Sequence, residues 1–286
     1  MFNKKSLGQH FLRNQNVLKK IADAAALTEG DAVLEVGPGE GALTALLLER
    51  AGKVVAVEKD SRLIPMLQKK FSVEIASGKL ELVHGDILEE AAPDVEQNRT
   101  RCWGLQTSGS VLSYKIVANI PYYITGQFLR KFLQSETQPC MMVLLLQKEV
   151  AKRIMGIRNP ASLKLRRTMK ESVLSLSVKC YGVPSYIATV KAGSFSPPPK
   201  VDSGILKIAG ISKGFFSDFS EERFFTILKK GFAHPRKLLS SNLGIPASVL
   251  LECGISEKAR SENVLLKQWR CLTMTQAPES SAPAKV

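Results

Sequence analysis

The chain has little of what a metal site or a covalently stapled fold requires. It holds 5 cysteines and 3 histidines in 286 residues. The cysteines, at positions 102, 140, 180, 253 and 271, are odd in number and far apart, and no Cys-x-x-Cys pair occurs. Structural zinc and a disulfide framework are therefore not expected, and no metal ligands are assigned. Scattered thiols suit a reducing, cytoplasmic compartment. Long apolar runs are also missing: MMVLLL at 141–146 is the longest clean one, far too short to span a bilayer. The N-terminus carries bases with no apolar stretch behind them, which is not the form of a secretory signal. Acids are the third scarcity. Against 40 Lys+Arg there are 26 Asp+Glu, a net charge of +14. MFNKKSLGQHFLRNQNVLKK has no acid at all, and residues 148–170 have one, Glu149, amid many bases. Concentrated like this, positive charge points to a polyanionic partner such as nucleic acid, because each neutralised phosphate releases counterions.

What is present is an alternation of strands and helices. A helical pattern opens in NVLKKIADAAAL. The apolar runs AVLEV, KVVAVE, KLELVHGD, YKIVAN and MMVLLLQ follow, several separated by helix-length segments such as GALTALLLERA and SRLIPMLQKKF. Strands alternating with helices predict parallel βαβ units and a doubly wound sheet, and runs apolar on both faces fit strands covered on both sides. Residues 91–113 read as a surface loop, with Trp103 unassigned. GILKI, after the proline-stiffened SFSPPPKVDS, reads as a final strand. Past about residue 210 only helical patterns remain. The expected organisation is a domain over 1–210, a small helical domain over 211–275 and a disordered Pro/Ala/Ser-rich tail over 276–286.

LEVGPGEGALT puts Gly37, Gly39 and Gly41 between a strand and a helix, where the backbone must turn tightly and approach a ligand. The spacing is E-x-G-x-G-x-G, with Glu35 in front, and not the Gly-x-Gly-x-x-Gly of dinucleotide enzymes. Glu58 ends the second strand about twenty residues on, where a carboxylate can accept from two ribose hydroxyls. Asp86 ends the third strand. It can accept from an adenine amino group, with Ile87 packed on the ring, or it can cap the next helix. Together these residues imply an adenosine cofactor, either a nicotinamide dinucleotide or S-adenosylmethionine. A pyrophosphate favours a helix N-terminus free of acid. Glu40 in the turn therefore favours S-adenosylmethionine, a cofactor without phosphate that carries a positive sulfonium.

VANIPYYITG places Asn119 at the end of the fourth strand, on the same sheet edge, followed by Pro121 and Tyr122. Taken alone, Asn-Ile-Pro-Tyr is a turn closed by Asn and Pro. Behind a cofactor set it fits methyl transfer to the exocyclic N6 of adenine. That nitrogen needs two acceptors to hold its hydrogens and turn its lone pair outward. The Asn119 side chain can be one, and a backbone carbonyl of Ile120 or Pro121 the other. Tyr122 can stack on the extruded base. Phe195 is either core or the second wall of the clamp.

These residues resemble the small-subunit rRNA adenine N6,N6-dimethyltransferase (KsgA) family over nearly the whole chain. The marks are LGQHFL at 7–12, EVGPGEGALT at 35–44, VEKD at 57–60, GDIL at 85–88, NIPYYI at 119–124, LQKEVAKR at 146–153 and FSPPPKVDS at 195–203, with FAHPRKLLSSNL at 232–243 resembling the family's C-terminal domain. The resemblance implies a class I S-adenosylmethionine-dependent methyltransferase (Rossmann-like) α/β fold with one antiparallel strand at the sheet edge, and a small α-helical RNA-binding C-terminal domain. It implies that His10, Leu12, Gly37, Gly39, Glu58, Asp86 and Asn119 surround the cofactor, and that Asn119, Pro121, Tyr122 and Phe195 act on the target base. His10 stands where many relatives have asparagine. The implied substrate is two adjacent adenosines in the 3′-terminal hairpin of small-subunit rRNA, each methylated twice by a monomer acting on the immature subunit. Large-subunit rRNA methylases of the antibiotic-resistance type, DNA adenine methylases and a non-catalytic assembly factor are the rival readings.

Overall fold

A computed structural model describes residues 10–89, 113–156 and 170–276. The first nine residues, the loop around Trp103, Arg166 and Arg167, and the last ten residues lie outside the described residues. The chain folds as two compact units. The first comprises the described residues up to Lys152 together with Gly182–Ser212; the second runs from Arg153 to Tyr181 and onward from Lys213.

The first unit begins with β1 (Phe11–Leu12) and α1 (Gln15–Ala24). Asn14 caps α1 by accepting from the Asn16 and Val17 amides, and Leu18, Ile21 and Ala22 bury its inner face. Next come β2 (Ala32–Val36), α2 (Ala42–Leu48), β3 (Lys53–Glu58), α3 (Ile64–Lys70), α4 (Ser72–Ala76), β4 (Leu80–His84), β5 (Tyr114–Asn119), α5 (Thr125–Gln134), β6 (Met141–Gln147) and α6 (Lys148–Met155). The sheet is completed by strands later in the chain. These follow α7 (Val173–Lys179) as β7 (Val183–Val190), β8 (Phe195–Ser196) and β9 (Ser203–Ala209).

The seven-stranded sheet has the order β4-β3-β2-β5-β6-β9-β7. The first five strands are mutually parallel, and β9 is antiparallel to both β6 and β7. All five residues of β2 are buried, as two covered faces require. The expected reversed strand exists, but as β9 it lies one position in from the edge. The edge itself is β7, whose mixed burial kept it from view in the sequence. Succession reverses direction between β2 and β5, and ligands of open α/β sheets bind at such a switch point. Register aligns the carboxyl ends there: Val36 lies opposite Val57 and Ala118, and Glu58 opposite His84. A separate ribbon pairs β1 with β8, Phe11 opposite Ser196 and Leu12 opposite Phe195.

The second unit is helical, with α7, α8 (Glu221–Gly231), α9 (Leu239–Leu243), α10 (Ala247–Glu252) and α11 (Leu266–Thr275). Phe215, Phe216, Phe219, Phe224 and Phe225 pack edge to face and stacked, with the Tyr181 ring against Phe216 and Phe225. Trp269 is fully buried and stacks on Phe232 at 5.6 Å. The expected boundary near residue 210 is incomplete, because the described residues between 153 and 181 join the helical unit. Contacts far along the chain hold them there: the Glu171 amide donates to Glu262 O at 2.8 Å, and Lys170 pairs with the Glu262 carboxylate. The cysteines also depart from expectation. Packing of α10 and α11 brings Cys253 and Cys271 together in a disulfide, while Cys140 and Cys180 are free. Among the described residues no helix is long and apolar enough to cross a membrane.

Candidate active site

At the carboxyl end of the parallel strands, within the first unit, a cleft of ≈ 200 Å³ opens. The sequence-assigned residues His10, Gly37, Gly39, Glu58, Asp86, Asn119, Pro121, Tyr122 and Phe195 all line it. Leu12 does not. Its side chain is buried in the hydrophobic core, and its neighbour Phe11 lines the cleft instead. Lys59, Tyr123, Gln127 and Ile120 also line it and were given no side-chain role in the sequence. The only available signals for them were adjacency to Glu58 and to the Asn-Ile-Pro-Tyr turn.

The glycine turn adopts left-handed backbone at Gly37 (φ +70°) and Gly39 (φ +61°), where a side chain would be strained. Added at Gly39, a Cβ would sit 3.0 Å from the Phe11 ring. Glu58 holds this turn from below. Its Oε2 accepts the Gly39 amide at 3.0 Å and its Oε1 the Asp60 amide at 2.8 Å. Burial raises the Glu58 carboxyl above its usual range, the two amides pull it back, and the neighbouring Asp60 charge pushes it up again. Each oxygen keeps lone pairs for further donors.

Of the two readings of Asp86, the structure shows the capping one. Its Oδ1 accepts the Leu88 amide at 3.0 Å, a local cap, while Oδ2 takes the Lys59 ammonium. Partial burial would raise this carboxyl, but Lys59, the Leu88 amide and the Lys131 charge together hold it below the ordinary aspartate value. Beneath the turn, Glu35 is fully buried on β2, its Oε2 without a hydrogen-bond partner. Burial pushes its carboxyl up to about 8; Thr44 alongside lowers it, and the Glu58 charge raises it.

Asn119 ends β5. Its Nδ2 donates to the His10 carbonyl at 3.4 Å, so Oδ1 is the end left for another donor. The His10 ring in turn donates from Nδ1 to Pro197 O at 2.8 Å, tying the β1 segment to the proline loop. Pro121 (φ −56°) leads into a 3₁₀ turn over Tyr122–Ile124, and its carbonyl accepts the Ile124 amide at 3.2 Å. The Tyr122 hydroxyl bonds the buried Ser203 hydroxyl at 2.7 Å, which fixes the ring. Burial raises the Tyr122 phenol above its usual value, partly offset by Ser203. Phe195 is both core and wall: it is buried in the hydrophobic cluster and lines the cleft.

These residues suit S-adenosylmethionine. Two strand-end carboxylates line the cleft, and its lysine is paired with one of them. The Gly39 amide, which could face a pyrophosphate, is committed to Glu58. Glu40 argues for this cofactor less directly than its sequence position suggested, because Arg13 neutralises its carboxylate at 2.9 Å.

Sheet order, switch-point cleft and strand-end acids define a class I S-adenosylmethionine-dependent methyltransferase. More narrowly, the chain belongs to the ribosomal RNA adenine dimethylase family, whose model matches residues 2–272. Its relatives include the ribosomal RNA small subunit methyltransferase A of Dehalococcoides mccartyi, 39% identical over 285 residues, covering 96% of this chain and 89% of that protein. The protein of the same name from Listeria welshimeri is 37% identical over 240 residues, covering 84% and 75%. A dimethyladenosine transferase from Plasmodium falciparum superposes with a TM-score of 0.71 at 26% identity, covering 92% of this chain and 96% of that one. The 23S rRNA methyltransferase ErmE shares the fold, with a TM-score of 0.70 at 24% identity over 92% and 98%.

Proposed function

We propose that this protein transfers methyl groups from S-adenosylmethionine to the N6 nitrogens of two adjacent adenosines in the 3′-terminal hairpin of small-subunit rRNA, giving N6,N6-dimethyladenosines, and that it acts as a cytoplasmic monomer on the immature subunit. The observation that carries this reading is the Asn119 side chain in the cleft, its Nδ2 occupied by the His10 carbonyl. The names of the small-subunit relatives support the choice of rRNA.

In this reading Gly37 and Gly39 allow close approach of the cofactor, Glu58 accepts from its ribose and Asp86 from its adenine. When bound, S-adenosylmethionine supplies an electrophilic methyl group on a cationic sulfur. Asn119 Oδ1 holds one hydrogen of the target amine. Because Pro121 O already accepts the Ile124 amide, Ile120 O is the carbonyl assigned to the other hydrogen. Two acceptors in fixed positions turn the nitrogen lone pair away from the ring; positioning, not a strong base, supplies the rate. Tyr122, anchored through Ser203, stacks on one face of the base, and Phe195 closes the other. The surplus proton leaves to water. Arg236 and Lys237, exposed in the helical unit, add to the RNA-binding charge.

The test is mass spectrometry of small-subunit and large-subunit rRNA, each incubated separately with protein and S-adenosylmethionine. Dimethyladenosine at two adjacent positions near the 3′ end of the small-subunit RNA is expected. Modification confined to large-subunit RNA, or none on either, overturns the proposal.

A further inference from the structure

The helix that follows the Asn-Ile-Pro-Tyr turn presents a second face that meets no partner among the described residues. Gln127, Arg130 and Gln134 recur at spacings of three and four on one side of α5, and Tyr123 in the 3₁₀ turn leading into it joins Gln127 at the cleft. All four are exposed, Tyr123 by 65%. The orientation is fixed, because Phe128 and Phe132 on the opposite side are fully buried. Among the described residues these four make no hydrogen bond or ion pair with any other side chain. The helix has bases at Arg130 and Lys131 and no acid anywhere in its sequence.

Position gives this face a meaning that exposure alone does not. Tyr123 and Gln127 line the catalytic cleft. Gln127, Arg130 and Gln134 line a second, open concavity beside it, and the two depressions share Leu88 and Gln127. The stripe is therefore a continuous path leading out of the pocket that receives the target base. An aromatic ring at the mouth, then amides and a guanidinium, is the chemistry of a single-stranded nucleic-acid track. Bases stack on π faces, phosphates pair with arginine, and amides bond sugar or phosphate oxygens. A solvated helix face needs no large ring at its cleft end, and a protein-docking face would show an apolar patch that is absent here.

We propose that this face of α5 binds the RNA segment adjoining the target adenosine, with the neighbouring base stacked on Tyr123 and its phosphate held by Arg130. The inference rests on the reading of the cleft as an RNA adenine site. It adds that the nucleotide next in line is gripped outside the cleft while the first is modified. Extruding one adenosine strips its neighbour of a stacking partner, and Tyr123 replaces it.

The experiment measures binding of a hairpin with the 3′-terminal small-subunit sequence by fluorescence anisotropy over a range of salt, using full-length protein. Tyr123→Leu is expected to weaken binding about tenfold, and Tyr123→Trp to restore it. Arg130→Glu is expected to flatten the slope of log affinity against log salt by about 0.7 or more. Its S-adenosylmethionine titration, matching the unaltered protein, shows that the fold survives. Unaltered affinity in Tyr123→Leu together with an unaltered salt slope in Arg130→Glu overturns the inference. Loss of binding to intact small-subunit particles with none to the bare hairpin also overturns it, since the occupant would then be a ribosomal protein. Failure of the unaltered protein to methylate any rRNA adenosine would instead sink the reading beneath it, so the two failures are distinct.

Discussion

Asn119 has only two polar ends, and the fold spends one of them. With Nδ2 donating to the His10 carbonyl, Oδ1 is free to take a substrate hydrogen. Asn119→Ala should lower methyl transfer about a hundredfold or more, the scale seen when a fixed polar group at a reacting centre is removed, while RNA affinity changes little. Methyl-transfer and filter-binding assays on the same preparation check this, and near-normal turnover would refute the assignment. Glu35 makes a different prediction. Burial pushes its carboxyl up to about 8 in the folded protein, well above the ordinary glutamate value. An acid raised on folding binds its proton more tightly in the folded state, so its stabilising contribution is fully present below the unfolded value and is lost as pH rises through the folded one. Glu35→Gln cannot ionise. In denaturant titrations its stability relative to the unaltered protein should therefore climb between pH 5 and pH 9, and a constant difference would show that the carboxyl is not neutral when folded. The sequence made Glu35 legible only as the head of a glycine motif. The burial, the orphaned oxygen and the Glu58 charge beside it arise from a register between β2 and β3 that no spacing reveals. The Lys59–Asp86 pair was hidden for the same reason.

Among the elements, the turn between β2 and α2 leaves little room for a side chain. Gly41 has φ +74°, and a Cβ there would lie 2.6 Å from a Phe71 ring carbon and 3.0 Å from Leu67. Gly41→Ala carries about 1–2 kcal/mol for left-handed backbone and also displaces the ring. Thermal unfolding should fall by a few degrees; an unchanged transition would mean that the turn readily adopts another conformation. β2, β3 and β6 were legible because burial on both faces writes a near-continuous apolar run, and β4 and β5 because shorter apolar stretches follow at helix-length spacing. The β7 edge was not, since VPSYIATV mixes exposed and half-buried positions and buries only Val190. Nor was β1, whose two residues gain strand character only from pairing with β8. The reversal of β9 follows from the loop that returns it between β6 and β7, a topological fact outside any local pattern.

For the molecule as a whole, the chain's +14 charge was readable at once, whereas the division into units was not. The described residues between 153 and 181 belong with the helices because Glu171 and Lys170 reach Glu262, contacts that sequence distance conceals. The same unit contains the Cys253–Cys271 disulfide, closing a separation of 18 residues. A closed loop of this size limits the unfolded chain and contributes about 2–4 kcal/mol. Reductant should accordingly lower the denaturant midpoint of the helical unit, as followed by the fluorescence of the buried Trp269, and Cys271→Ser should match the reduced protein. Identical midpoints with and without reductant would show that the two thiols are not joined in solution.

His10 and Pro197 meet across 187 residues of chain. Translation runs from the first of these to the second, so a growing polypeptide exposes its glycine turn and its asparagine long before the proline loop exists to hold the opening segment in place. The reversed strand arrives later still. The segment that opens the cleft is thus pinned only when two stretches of chain made at well-separated times come together.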